Sequence, residues 1–576
     1  MPEKVIEAKE TSLSALFSED FIFRIPIFQR PLSWTEDNFE QLIEDIEDSM
    51  TLEEGHFLGS IILQQSKQEK NLYELIDGQQ RMTALTILFA VIRDVTENPD
   101  LRERIQNSYI YQKEDPYKGL PEAMRVMPWE DLEDIFKKYI YTLGGTKKFL
   151  YDFKRGFIPY KDTDDPVYHL FEAITIFTSK LNEAKDLERL VIHMLRNVYV
   201  VYIKTQNLAT AYRLFNTLNT RGLSLSSSDL LKSENLGAIE NEEERKKYAT
   251  IWRDVENRIG REEFINVISY IRMIKRKEKA KLGIYEEYRK LFKDGTLERG
   301  TKFINYINEI VEIYDQKVLN PEIRSKNEEG KNRYKVIVNL MHDYLPFSDW
   351  IPPLIAFYYK FKTDEELIDF LLKLEKKFVT EWIAGFTPTE RITASGNLIN
   401  LIEKASKPEE VMDKMLKPPI YTFSEYGYKD VKELLENKLN DVGFYKLRGG
   451  NLAKYILLRI DMEEWELENF PGYSGEITVE HILPQNPSEN SEWIKIFTKE
   501  QRDEWTNKLG NLVLLSGKKN SRAQNYDFKK KKEVYFKPKC TPFKITQELE
   551  KINAWNIESI SSRHRELVNK CISIYY

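Results

Sequence analysis

Cysteine is nearly absent: Cys540 and Cys571 are the two in 576 residues, in no metal-ligand spacing, which argues against a disulfide scaffold or a structural zinc site. Long apolar runs are missing too. The longest, around Ala84 to Ile92, is too short to span a bilayer, and Met1-Pro2-Glu3-Lys4 opens no apolar signal core. The expectation is a soluble, cytoplasmic protein with no membrane contact. Nor is there an excess of positive charge: 86 Lys and Arg against 93 Asp and Glu give a net charge of −7 and a pI of about 5.8. No global field therefore draws nucleic acid in, and any such contact must come from local patches. There is no clear internal repeat and no long low-complexity tract.

Hydrophobic residues make up 41% and aromatics 12%, enough to fold cores, and 576 residues are too many for one core. Asp37 with Glu40 reads as a capping-box start for a helix whose Phe39, Leu42, Ile43 and Ile46 share a face. Strands are expected over Phe57 to Gln65, Leu72 to Ile76 and Val198 to Ile203, and a buried helix over Met82 to Ile92. A helix from Leu208 to Leu218, a turn at Asn219 to Gly222 and a helix capped by Ser226 and Asp229 follow. Residues 250 to 440 read almost entirely as amphipathic helices. The fold class is α+β, predominantly helical.

The most informative residues lie late in the chain. Thr478-Val479-Glu480-His481-Ile482-Leu483-Pro484-Gln485 is a β-rich run ending in an acid-His pair; Gly510-Asn511 opens a second short strand, and Asn520 begins a Lys-rich helical tail. His-X-X-Pro alone carries no weight, but the joint His…Asn…Asn order is the residue set of a one-metal phosphodiesterase. Such hydrolysis needs a base to take a proton from water and a cation to neutralise phosphate charge. His481 titrates near neutrality, as a base should. Glu480 points to the opposite side of the strand end, where it can hold Mg²⁺ or Mn²⁺ with Asn520 as second oxygen ligand. Asn511 is placed to orient His481 or to brace the loop. Beyond it, Lys518, Lys519, Arg522, Lys529 and Lys530 form a basic patch suited to DNA phosphates.

A second constellation sits near the amino end. Asp77-Gly78-Gln79-Gln80-Arg81 joins a strand to a helix start, where free amides, the helix dipole and an Arg fork suit phosphate. Gly78 permits close backbone approach, and Asp77 can hold a metal or a sugar hydroxyl. Two other polar clusters frame it, one around Gln29 and Arg30, the other around Asn219 and Arg221.

The late set, over approximately residues 440 to 560, resembles the HNH, or ββα-metal, endonucleases, in the branch at the carboxyl end of GmrSD-type modification-dependent restriction proteins. The resemblance implies His481 as general base, Glu480 as metal ligand, Asn511 as brace and Asn520 as second ligand. Some HNH enzymes carry a final His where Asn520 stands, and many carry zinc-binding Cys pairs; this chain has neither. The early clusters, from about residue 10 to 235, resemble the amino-terminal domain of the same proteins, which is related to the ParB and sulfiredoxin folds. That implies binding and hydrolysis of a nucleoside triphosphate, GTP and ATP not being distinguished, at Asp77, Gly78, Gln79, Gln80 and Arg81. Asp77 would serve hydrolysis, Gln29 and Arg30 would line the pocket, and Asn219 and Arg221 would contribute. The family often has Tyr where this chain has Phe28 and an aromatic where it has Leu32, so recognition chemistry resting on a phenol does not carry over.

The expected organisation is a ParB/sulfiredoxin-like nucleotide-binding domain over 1-237, a helical coupling domain over 238-440 and an HNH domain over 441-576. The expected function is nucleotide- and metal-dependent cleavage of modified, double-stranded foreign DNA in prokaryotic antiviral defence, with homodimerisation left open. The rivals are a nucleotide-regulated DNA-binding sensor with an idle nuclease site and an RNase or toxin-like nuclease.

Overall fold

A computed structural model describes residues 6–26, 29, 31–66, 69, 71–117, 120–184, 186–205, 226–325 and 327–576. The chain forms two compact units, Met1–Arg253 with Arg299–Ile304, and Asp254–Glu298 with Asn305–Tyr576. It is α+β and mostly helical, in keeping with the sequence pattern.

The first unit is built on a six-stranded mixed sheet. Its strands are β1 (Ile6–Ser12), β2 (Ile22–Arg24), β3 (His56–Gln65), β4 (Leu72–Asp77), β5 (Val126–Met127) and β6 (Val198–Thr205), in the order β1-β6-β3-β4-β2-β5. β3 and β4 are antiparallel and pair Ile62 with Asp77, while β6 runs parallel to β3 and β2 parallel to β4. Helix α1 (Glu36–Leu52) buries Phe39, Leu42, Ile43 and Ile46, the face its periodicity marks. Its cap differs from the expected Asp37–Glu40 box: Thr35 is the N-cap, and Asn38 Oδ1 accepts the Thr35 amide at 3.1 Å. Thr35 has the extended backbone a cap requires, whereas Asp37 already lies inside the first turn.

Helix α2 (Gln79–Val95) follows β4 with one intervening residue and is buried along nearly its whole length, with Met82, Leu85, Leu88, Phe89 and Ile92 inaccessible. The connecting Gly78 has φ of +90°, and a Cβ there would come within 2.5 Å of Ile61 Cγ2, so the turn requires glycine on both counts. The capping box predicted at Ser226 and Asp229 opens helix α3 (Ser227–Gly237). The expected helix at Leu208 to Leu218 and turn at Asn219 to Gly222 lie outside the described residues.

In the second unit, elements as far as Glu463 are helical among the described residues. Helix α4 (Leu367–Ala384) presents buried Glu375, which accepts from Arg459 Nε (2.9 Å) and Tyr455 (2.9 Å) on α5 (Asn451–Glu463). Tyr575, at the end of a helix over Ile557–Tyr575, donates to the same carboxylate at 3.1 Å. This core supports a two-stranded antiparallel sheet of β7 (Ile477–His481) and β8 (Leu512–Ser516), with His481 opposite Leu512 and Glu480 opposite Val513. Helices α6 (Gly517–Ala523), α7 (Phe528–Phe536) and α8 (Ile557–Tyr575) complete the region. Gly510, just before β8, lets α8 approach: a Cβ there would stand 2.5 Å from His564 Cβ.

Candidate functional site

His481 closes β7. The ring is 7% exposed and packs edge-on against Tyr445, with centroids 4.3 Å apart. Its Nε2 lies 3.2 Å from Asn507 Oδ1, which also accepts from Gln485 Nε2 at 3.1 Å. An amide oxygen can only accept, so the neutral imidazole carries its proton on Nε2 and leaves the Nδ1 lone pair for chemistry. Burial, aided by the nearby Lys531 charge, lowers the His481 pKa to about 4. The imidazole is therefore neutral across the physiological range, and it is a weaker base than the near-neutral titration expected from the sequence, because burial penalises the imidazolium.

Glu480 occupies the opposite face of the strand, 9% exposed. Its Oε1 accepts from Lys531 Nζ at 2.6 Å, and the same ammonium donates to the His481 carbonyl at 2.6 Å. Burial pushes the Glu480 carboxyl up from its ordinary range, and Lys531 opposes that rise. Asn520, on α6, donates from Nδ2 to Thr478 Oγ1 at 3.0 Å. Thr478 and Glu480 alternate onto one strand face, so Asn520 is brought to the Glu480 side. Among the described residues Asn520 Oδ1 accepts no hydrogen bond. A carboxylate and an unpartnered amide oxygen on one face fit a hard divalent cation, although no group of three or more His, Cys, Asp or Glu side chains that could hold a metal occurs among the described residues.

Asn511 is fully buried, and its side chain makes four hydrogen bonds. Oδ1 accepts from the Leu483 amide (2.8 Å) and Trp555 Nε1 (3.2 Å), while Nδ2 donates to the carbonyls of Leu483 and Thr506 (2.8 Å each). Of the two roles its position allowed, the bonds it makes are those of a loop brace, and the side chain that hydrogen-bonds the imidazole is Asn507. Sequence reasoning missed Asn507, which lies 26 residues from His481 in a helix-to-strand connection with no motif of its own. Nor does anything in the run Lys529-Lys530-Lys531-Lys532 mark Lys531 apart from its neighbours.

The basic patch divides. Lys518, Arg522, Lys529 and Lys530 are exposed, Lys530 lying 3.6 Å over the Tyr526 ring. Lys519 is half-buried, donating to the carbonyls of Val534 (2.7 Å) and Tyr535 (2.9 Å), where it caps the end of α7.

In the first unit the Asp77–Arg81 segment is knitted to its own scaffold. Gln29 Nε2 donates to the Ile76 carbonyl (3.0 Å) and its Oε1 accepts from Gln79 (3.1 Å). Gln80 Oε1 accepts from the amides of Ser33 (2.9 Å) and Trp34 (3.3 Å), and its Nε2 donates to the Pro31 carbonyl at 2.9 Å. Arg81 donates to the carbonyls of Leu58 and Ser60, and burial lowers its pKa against the opposing charge of Asp77. Asp77 Oδ1 accepts from the Gly78 amide at 2.8 Å. Among the described residues no side chain caps the first turn of α2. Arg30, Asn219 and Arg221 lie outside the described residues.

Two family models match the chain: the N-terminal domain of GmrSD restriction endonuclease over residues 13–236, and the C-terminal domain of GmrSD restriction endonucleases over residues 429–570, together well over half of it. No curated protein is similar enough to match. Among the described residues no helix is long and apolar enough to cross a membrane.

Proposed function

The chain belongs to the GmrSD restriction endonucleases and is a DNA endonuclease of restriction, and from that premise we propose that His481 is the base of an HNH-type, metal-dependent nuclease centre. The observation that carries this reading is the Asn507-held imidazole: its tautomer is set, its Nδ1 is left for water, and Glu480 and Asn520 share the neighbouring strand face. In the chemistry derived from these residues, Nδ1 takes a proton from water as the water attacks phosphorus, and Asn507 accepts the hydrogen bond that steadies the resulting imidazolium. An approaching phosphodiester adds negative charge and raises the basicity of the buried ring towards neutrality. Mg²⁺ or Mn²⁺, held by Glu480 and Asn520, would neutralise charge on the phosphate and leaving oxygen. Asn511 and Trp555 fix the loop after His481, and Lys518, Arg522, Lys529 and Lys530 supply charge for the duplex backbone.

For the first unit the proposal is nucleoside triphosphate binding at the start of α2, GTP or ATP. The first turn, uncapped by any side chain among the described residues, leaves its amides for phosphate. Arg81 would act on phosphate as a nearby buried positive charge, since its donors serve the Leu58 and Ser60 carbonyls; Asp77 would serve hydrolysis. Cleavage of modified phage DNA, under control of that nucleotide, is the biological role this arrangement would serve, in the prokaryotic cytoplasm. The test is incubation with modified and unmodified phage DNA, with and without nucleotide and Mg²⁺, with RNA as competitor. Cutting confined to DNA with divalent cation supports the reading; undiminished cutting in chelator, or preference for RNA, overturns it.

A further inference from the structure

Lys531 stands apart from the other lysines of its run. Lys529 and Lys530 face solvent, and Lys532 donates to the carbonyls of Glu550 (2.9 Å) and Ile552 (2.8 Å). Lys531 is buried, and its ammonium is shared between the carboxylate of Glu480 and the main-chain oxygen of His481. A buried lysine is costly unless paired, and a hydrophobic residue of similar length would pack α7 on the sheet without that cost. Pinning the helix therefore does not account for it. Its position against the one acidic ligand does.

We propose that Lys531 neutralises Glu480 so that a divalent cation is held firmly only when DNA phosphate is also present. This rests on the metal reading given above. With Lys531 paired to Glu480, the pair has no net charge, and Asn520 adds a neutral oxygen. A single carboxylate already shared with an ammonium is a weak site for Mg²⁺ or Mn²⁺, which binds mainly to oxygen ligands of full negative charge. A phosphodiester arriving beside it supplies the missing charge. Cation and duplex then bind interdependently, each raising the affinity of the other by the same factor. The ammonium also ties the carboxylate to the His481 main chain, so the cation face and the base are held by one group.

The experiment titrates full-length protein with Mn²⁺, following the free-ion electron paramagnetic resonance signal with and without a short synthetic duplex. All samples carry His481→Ala so that the duplex survives. With Lys531 present, the duplex should tighten Mn²⁺ binding by about tenfold or more, and Lys531→Met should bind Mn²⁺ about tenfold more tightly without duplex, because a like charge beside the cation is gone. The gain from duplex should shrink in that variant, whereas Lys531→Arg, which keeps the charge, should follow Lys531. Identical duplex-free curves for Lys531 and Lys531→Met overturn the proposal and leave the metal reading standing. If Lys531→Met does not fold, the Lys531 protein decides alone: equal Mn²⁺ affinity with and without duplex overturns the interdependence. Absence of Mn²⁺ binding in both conditions removes the metal reading itself.

Discussion

The Asp77–Arg81 turn and the Glu480–His481 strand end are built from similar residues, yet they spend their polar groups differently. In the first, Gln79 donates to Gln29, Gln80 bonds the main chain of Pro31, Ser33 and Trp34, Arg81 donates to the carbonyls of Leu58 and Ser60 on β3, and Gln29 donates to the Ile76 carbonyl on β4. In the second, those duties fall to Asn511, Asn507 and Lys531, while His481 Nδ1 and Asn520 Oδ1 keep lone pairs for other partners. The lesson is that a polar motif can be a strut or a reagent. Substitution should tell them apart, because a strut reads out in stability and a reagent in rate.

The largest effect is expected at His481. His481→Ala should lower DNA cleavage by about 10²–10⁴-fold while thermal unfolding stays within a degree or two of the parent; a matching loss of stability would put His481 among the struts. Arg81→Ala should do the reverse. Leaving the Leu58 and Ser60 carbonyls without their charged donor should cost about 2–4 kcal/mol, seen as a lower denaturant midpoint for the first unit. Nucleotide affinity should fall as well, and the dependence of cleavage on nucleotide concentration should change although the nuclease residues are untouched. Unaltered curves would separate the two units functionally.

Acid should act on the second region by a route whose sign is fixed. His481 and His564 both have pKa values lowered to about 4 by burial, below the ordinary 6.5. Between those values the unfolded chain binds more protons, so stability is unaffected above pH 6.5 and falls as pH drops towards 4, by up to roughly 3 kcal/mol for each histidine. Thermal unfolding measured from pH 8 to 4 checks this, and His564→Asn should lessen the acid sensitivity. A flat profile would mean that neither ring is held neutral. At Asn507, replacement by Ala should slow cleavage by about tenfold with little change in the midpoint, the ring having lost its orienting acceptor. The smallest effect is expected for Lys529→Ala with Lys530→Ala: a few-fold weaker duplex binding and a salt slope shallower by about two.

Much of this was legible in the sequence because it depends on local periodicity. The face of α1, the buried run of α2, the strands ending at Asp77 and His481 and the Ser226 cap follow from spacing alone. The Asp37–Glu40 box did not form, because helix starts depend on which residue turns extended, and Thr35 did so first. Asn507 was not legible for a different reason. It stands 26 positions along the chain from His481, and the helices between them decide that the two meet.

What the sequence determined by itself is chemical supply: a histidine behind an acid at a strand end, two asparagines in order after it, a glycine between a strand and a helix start, and too little positive charge for anything but local patches. What only the tertiary structure decided is commitment. Periodicity shows that Lys529 to Lys532 share a helix, but not that Lys531 turns inward to Glu480 and the His481 carbonyl while Lys530 stays in water. Nor does it show that Gln80 and Arg81 donate to a neighbouring backbone. The reason is energetic: a buried polar group must find a partner, and the partner available is whichever one the packing of distant segments brings within about 3 Å.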